Sequence, residues 1–237
     1  MGNFVRKCCY LTAVVLLCFA SSALADNMTL QSSVYGGPVL GGVYISPYPF
    51  TINSATNQMA ICDDFADEVT GGEHWIATVN TSSTLSSTLW ANGQPSTTYI
   101  PEYDEATWLA SQLLNPTSAC KYSGEQTCAG DISYAIWAIF DPTALNNLLP
   151  KTSPDYENAV WWMSQAASNG VPPSSGIDLH GFEILTPSPN VGPGNGGPQE
   201  FLYQTPEAPT SVLLGAGVLG LLALIVVFRR GMVQTAH

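Results

Sequence analysis

Four acidic residues lie close together in the sequence, directly after a cysteine. Asp63 and Asp64 follow Cys62, and Asp67 and Glu68 come three residues later. Two carboxyl groups across a cleft are what a glycosidase needs, one as acid and the other as base or nucleophile. Any acidic surface loop offers the same residue types, so the sequence favours solvated charges over a catalytic pair at Asp64 and Glu68.

Cys62 suggests a second reaction class, nucleophilic catalysis by a thiolate with a histidine base. His74 or His180 would have to lie beside the thiol, and no family signature surrounds either histidine. We therefore interpret Cys62 as a buried, inert thiol in an apolar strand. Residues 26–204 hold only these two histidines, with no His-x-x-x-His pair and no calcium-loop motif, so neither a metal nor a cofactor is predicted.

The charge of this segment argues against a nucleic-acid partner. Residues 26–204 carry seventeen acidic residues and two lysines, Lys121 and Lys151, a net charge of −15. A nucleic-acid-binding domain needs a basic face to neutralise phosphates. The same negative charge argues against docking onto anionic lipid.

Aromatic residues give a hint of binding. Trp161 and Trp162 are adjacent in a predicted helix, so both cannot face the core. Because aromatic faces stack on sugars, we predict that one or both contact a ligand, possible partners being extracellular polysaccharides.

Two further cysteines flank a short polar segment. Cys120 and Cys128 enclose the sequence KYSGEQT. In an oxidising compartment they are expected to form a structural disulfide that closes this small loop.

The N-terminus is typical of a secretory signal peptide, residues 1–25. A basic pair, Arg6-Lys7, precedes an apolar stretch, and Ala23-Leu24-Ala25 forms a cleavage pattern. Cleavage is predicted between Ala25 and Asp26, leaving an exported domain at 26–204 that is long enough to bury a core.

The C-terminus, residues 205–237, contains a predicted membrane span. Residues 211–228 carry no charge and are followed by Arg229 and Arg230. At about 1.5 Å per residue, an 18-residue helix just crosses a hydrocarbon core of roughly 30 Å. The arginines should stay in the cytoplasm, so the domain before the span lies outside the inner membrane.

A Pro-Glu motif, a span and a basic cluster in this order resemble the PEP-CTERM sorting signal of exported bacterial proteins. The matching residues are Pro206, Glu207, Ala208, Pro209, Arg229 and Arg230. Ala208 stands where the family usually has its second proline, and seven residues follow the arginines. The resemblance implies processing by an exosortase-type membrane protease; the alternative is an ordinary C-terminal membrane anchor.

A second, shorter resemblance is to the thioester domains of surface adhesins. In those domains a cysteine near the start bonds to the glutamine of a T-Q-x-A-I-W helix. Here Cys62 lies in an early predicted strand, and Ile132 to Trp137 read I-S-Y-A-I-W. Ser133 occupies the position of the reactive glutamine, so the resemblance implies a similar fold without the bond.

The elements around these residues predict an α+β fold, a β-sandwich or sheet with an inserted helical subdomain. Strands are predicted at 43–45, 50–52, 58–65, 74–80, 181–185 and 200–203. Helices are predicted at 101–114, 132–140 and 154–168, with a short one after Asp141-Pro142.

The sequence also predicts one helix cap and two sets of inward-facing residues. Asp131 should cap the second helix. Leu145, Leu148 and Leu149 should point inward from the short helix. An inner stripe on the last helix should consist of Tyr156, Val160 and Met163.

Two functions fit these observations. The first is a surface-displayed, non-enzymatic protein of the cell envelope or polysaccharide matrix. The alternative is an exported hydrolase that uses the acids at 63–68 or the pair Cys62 and His74. Export signals at both ends and the lack of a complete catalytic constellation favour the first.

Overall fold

The structure is a computed structural model that describes residues 25–114, 125–170 and 177–205. Within these ranges no helix is both long enough and apolar enough to cross a membrane. Most of the predicted signal peptide (residues 1–24), the predicted span at 211–228 and Cys120 lie outside the described residues. So do all residues of the predicted sorting motif: Pro206, Glu207, Ala208, Pro209, Arg229 and Arg230.

The described chain is α+β, as predicted, with a helical segment inserted between two strands of a sheet. The strands are β1 (Ala25–Leu30), β2 (Val39–Leu40), β3 (Val43–Tyr44), β4 (Tyr48–Ile52), β5 (Ala55–Cys62), β6 (His74–Asn80), β7 (Phe182–Pro187) and β8 (Phe201–Gln204). Between β6 and β7 lie α1 (Ser96–Leu114), α2 (Glu125–Phe140), a 3-10 helix (Pro142–Leu148) and α3 (Pro154–Asn169).

Six of the strands form a closed antiparallel barrel in the order β1-β4-β5-β8-β7-β6. Closure depends on β1, in which Met28 is paired with Ile52 of β4 on one side and with Trp75 of β6 on the other. The sequence predicts a sandwich or sheet rather than a barrel, because β1 adjoins the predicted signal-peptide cleavage site and no strand is predicted there. Its buried Met28 and Leu30 alternate with more exposed neighbours, which is the strand pattern.

The alternation of side chains on the strands separates two cores. On β5, Ala60 and Cys62 belong to the core of the barrel, whereas Ile61 between them packs into a second core with the helices. On β8, Phe201 and Leu202 divide in the same way. The helices therefore cover the outer face of β5, β8 and β7.

Two helix starts differ from the predictions. α1 begins at Ser96, before Pro101, which lies inside the helix. Tyr99 in its first turn is buried against the second core, and this packing extends the helix N-terminally. Asp131 does not cap α2, which begins at Glu125; Asp131 is buried inside the helix and accepts a hydrogen bond from Asn158 Nδ2 at 2.9 Å.

At the end of the helical segment the predicted helix cap is confirmed, whereas some residues predicted to be buried are exposed. Ser153 caps α3 by accepting from the Tyr156 amide at 3.2 Å, as predicted. Of the predicted inner stripe, Tyr156 and Met163 are partly buried against the two cores, but Val160 is 41 % exposed. The residues buried on α3 are Asn158, Ala159, Trp162 and Ala166. In the 3-10 helix Leu148 is buried, whereas Leu149 after it is 53 % exposed rather than inward-facing.

The β2–β3 hairpin packs closely against α2. Gly41, at its turn, has φ +59°, and a Cβ there would lie 2.2 Å from the hydroxyl of Tyr134. That hydroxyl donates to the Leu40 carbonyl at 3.1 Å. Gly130 leaves room on the helix for the Leu40 side chain. The hairpin is thereby held over one end of the barrel.

Candidate functional site

An aromatic cleft of about 540 Å³ lies at the end of the barrel where β1 and β5 finish and β4 and β8 begin. Five aromatic side chains line it: Tyr35, Tyr44, Tyr48, Phe65 and Trp137. Its polar lining includes Asp67, Glu68, Thr70, Asn147 and Gln199. The volume falls within the roughly 300–1,000 Å³ typical of small-molecule sites.

The aromatic side chains form a floor and a rim. Tyr48 and Trp137 are 7 % and 2 % exposed and form the floor. Phe65, half-buried, lies 5.3 Å from Trp137 between ring centroids. Tyr35 is 53 % exposed and meets Tyr44 edge to face at 5.9 Å. An exposed tyrosine above buried aromatic rings can contact a ligand while the floor stays rigid.

Hydrogen bonds fix three tyrosines of the cleft. The Tyr35 hydroxyl accepts from the amide of Gly71 at 2.9 Å. The Tyr48 hydroxyl donates to the Tyr44 carbonyl at 2.5 Å, and that of Tyr44 donates to the Tyr35 carbonyl at 3.5 Å. The rings are therefore held in place by protein partners, which lowers the entropy lost when a ligand binds.

Asp67 connects the cleft to the glycine-rich loop before β8. Its two carboxylate oxygens accept from the amides of Gly194 and Gly196 at 2.8 and 2.9 Å. Gln199 Nε2 donates to the carbonyls of Asp64 and Asp67 at 2.7 and 2.8 Å. Asp67 is buried, and its carboxylate holds this loop against the segment that follows β5.

Asp64 closes the turn after β5. Its Oδ1 accepts from the amides of Ala66 and Asp67 at 2.9 and 3.3 Å, while Oδ2 has no hydrogen-bond partner among the described residues. Burial raises the pKa of this carboxyl to about 7, although the hydrogen bond from Ala66 opposes the shift. The sequence expectation of a solvated charge at Asp64 is wrong, because the side chain is fully buried.

Asp63 and Glu200 form a buried carboxyl pair between the sheet and α1. Glu200 accepts from the amide of Leu89 at 2.8 Å and from the hydroxyls of Tyr103 and Thr186. Neither oxygen of Asp63 faces an N–H or O–H donor in the described chain. Because Glu200 has three donors and Asp63 has none among the described residues, a proton on the pair favours Asp63.

The pKa values of this pair follow from their surroundings. Burial, then the charge of Glu200, raises the pKa of Asp63 well above its usual range. Burial also raises the pKa of Glu200, against the hydrogen bonds that it accepts from Thr186 and Tyr103. Both shifts favour protonation, and the charge of Glu200 adds to the shift of Asp63. Both side chains are 0 % exposed, which denies a substrate access to them.

Cys62 is a free, buried thiol, as predicted. Its Sγ donates to the Asp64 carbonyl at 3.0 Å, and burial, followed by the charge of Asp64, raises its pKa well above the ordinary value. The thiol is therefore protonated. His74 is exposed on β6, which lies opposite β5 in the six-stranded order, so the described barrel does not bring this histidine to Cys62.

The two thioester-like positions lie close together in the structure. The Cys62 amide donates to Ser46 Oγ at 3.0 Å, and the Ser46 amide donates to Ser133 Oγ at 3.2 Å. The Ser133 hydroxyl in turn donates to the Ala129 carbonyl at 2.7 Å. Ser46 thus links the end of β5 to α2. A serine offers no acyl group for a bond to Cys62, so the contact is structural.

Trp161 and Trp162 differ in burial, as their adjacency requires. Trp162 is 3 % exposed and packs in the second core near Trp108, so the predicted ligand contact can concern only Trp161. Trp161 is half-buried and meets Trp162 at 4.8 Å. Neither tryptophan lines the aromatic cleft.

The disulfide between Cys120 and Cys128 stays a prediction. Cys128 is buried in α2, and Cys120 lies outside the described residues.

Of the residues that line the cleft, Asp67 and Glu68 were candidates from the sequence, whereas its aromatic residues were not. Tyr44 and Tyr48 lie in the segment YISPYPF, whose density of aromatic residues was the available signal. Glu200 was predicted only as the first residue of a strand. A carboxylate buried at that position needs a hydrogen-bond partner.

Comparisons with known proteins gave no match for this chain among protein-family models, curated proteins or solved structures.

Proposed function

We propose that this protein is exported and displayed at the cell surface, where it serves as a non-enzymatic component of the envelope or the extracellular polysaccharide matrix. The observation that carries the proposal is the aromatic cleft at the end of the barrel. A preformed cleft with several aromatic rings and a few polar groups suits the apolar faces and hydroxyl edges of sugars.

The residues with catalytic potential support a binding role rather than hydrolysis. Asp63, Asp64 and Cys62 are buried, and Asp67 is occupied by two amide donors. Asp67 holds the loop before β8, and the Asp64 and Cys62 side chains bond within the turn after β5, so these three side chains serve the architecture. A hydrolase would need a carboxylate or thiolate within reach of bound substrate.

The route to the surface belongs to the same proposal. A signal peptide is removed after Ala25, the span at 211–228 holds the chain in the inner membrane, and an exosortase-type protease cuts near Pro206 to Pro209. Support comes from the sequence alone: the n-region, the cleavage pattern, the Pro-Glu motif and the basic pair.

The intact mass of the protein, taken from the surface of its native host, tests this proposal. We expect a chain that begins at Asp26 and ends between Pro206 and Pro209. A mass that still includes Arg230 would replace the sorting signal with a plain anchor, and recovery only from the cytosol would overturn export. Reduction should add two hydrogens if Cys120 and Cys128 are joined.

A further inference from the structure

We infer that the aromatic cleft and a neighbouring cleft form one groove that binds a saccharide chain carrying protonated amino groups. The inference rests on the proposed contact with extracellular polysaccharide and adds the ligand class and the residues. The side chains that it concerns are separate from the buried pair of Asp63 and Glu200.

The two clefts share a wall. The second, of about 300 Å³, lies on the other side of Tyr44 and Tyr48 and extends to Asn57 and Met59. Val34, Tyr44 and Tyr48 line both clefts. Two adjacent depressions with a common aromatic wall suit a linear chain with several sugar rings better than a single monosaccharide.

The rings of the groove suit an ammonium group as well as a sugar face. Tyr35 and Tyr44 stand at the opening, and Phe65 lies deeper. A cation within about 6 Å of an aromatic centroid is attracted by the negative face of the ring. A glucosamine-type residue offers both an apolar ring face and a cation, so aromatic side chains can engage both.

The charge of the lining selects against acidic polysaccharides. Asp67 and Glu68 line the groove, and its described lining contains no lysine or arginine. The surrounding domain carries a net charge of −15 from seventeen acids and two lysines. Such a field raises the local concentration of cationic ligands and repels uronates.

Calorimetric titration of the full-length protein in detergent micelles tests the ligand class. The probes are hexamers of glucosamine, glucose and galacturonate, each β- or α-1,4-linked as in its natural polymer, at about pH 5.5, where a sugar amine is protonated. We expect the glucosamine hexamer to bind most tightly and the galacturonate hexamer most weakly. Equal affinity for the glucose hexamer would overturn the requirement for amino groups.

Substitutions locate the site. Tyr44→Leu should lower the affinity for the glucosamine hexamer about tenfold, and Tyr44→Phe should retain most of it, because the ring rather than the hydroxyl carries the contact. Tyr203→Leu is the matched control, since Tyr203 is also half-buried with a bonded hydroxyl but lines neither cleft. Unchanged binding by Tyr44→Leu would place the glycan elsewhere and overturn the groove.

A surface substitution tests the charge without threatening the fold. Glu68 is exposed, so Glu68→Gln should lower the affinity about threefold at low ionic strength, with less effect as salt is added. Glu68→Lys should lower it further and improve binding of the galacturonate hexamer. Failure of every hexamer to bind would overturn this inference, whereas the mass measured at the cell surface would still decide the proposed export.

Discussion

Asp63 and Glu200 are neighbouring buried carboxyl groups, but the hydrogen-bond donors around them differ. Glu200 accepts from an amide and two hydroxyls, so a negative charge on it is partly satisfied. Asp63 has no such donors within the described chain. A proton on the pair is therefore expected on Asp63. Two chemically similar side chains thus have opposite hydrogen-bonding roles.

Amide substitutions at the two positions should have unequal effects. Asp63→Asn puts a neutral donor in place of a carboxyl that must take up a proton on folding, and should raise the free energy of unfolding at pH 7. Glu200→Gln places an NH₂ group against the donors of Leu89 or Tyr103 and should lower it by about 2–3 kcal/mol. Urea titrations of the purified variants measure both. Equal losses would contradict the assignment of the proton to Asp63.

At the scale of elements, α2 and α3 are joined by a buried polar contact. Asn158 Nδ2 donates to Asp131 Oδ2, while Asp131 Oδ1 and Asn158 Oδ1 have no hydrogen-bond partner among the described residues. Burial raises the pKa of Asp131 to about 7, against the hydrogen bond from Asn158. The small residues Ala159 and Ala166 are buried on α3 and permit close contact with its neighbours. Val160, which was predicted to face inward, is exposed instead.

Removing the amide should destabilise the helix pair in a pH-dependent way. Asn158→Ala leaves the carboxylate of Asp131 without its donor and should cost about 1–3 kcal/mol at pH 8. The cost should be smaller at pH 5, where Asp131 is protonated. Denaturant titrations at both pH values measure this, with Val160→Ala on the exposed face as control, expected within about 0.5 kcal/mol of the parent. An equal cost at both pH values would show that the lost contact is not to a titrating carboxyl.

At the scale of the whole molecule, local sequence patterns predicted the individual strands and helices better than the closure of the strands into a barrel. The alternation in HWIATVN gave β6 at its observed bounds, and Ser153-Pro154 gave the start of α3. The barrel required β1, whose few residues carry little pattern of their own and gain their role from pairing with β4 and β6. Pairing between segments distant in sequence is not encoded in any one window, so the aromatic cleft assembled from those segments was also missed.

The folded molecule as a whole should lose stability as the pH rises. The pKa values of Asp64, Asp104 and Asp131 are raised to about 7, with burial as the main cause in each case. An unfolded aspartate titrates near about 3.9. Between these values the folded state binds more protons than the unfolded state, so the free energy of unfolding falls with increasing pH. The raised pKa of Asp63 acts in the same direction.

The melting temperature should therefore be highest near pH 4 to 5 and decrease continuously toward pH 8. Repulsion among the acids of a domain with net charge −15 acts in the same direction, but added salt screens it. Desolvation of buried carboxyls is not screened, so most of the decline should persist in about 0.5 M salt. Calorimetry across this pH range, with and without salt, separates the two causes. The variant Asp64→Asn should flatten the curve between pH 4 and 7, and a melting temperature that rises with pH would contradict the burial of these groups as acids.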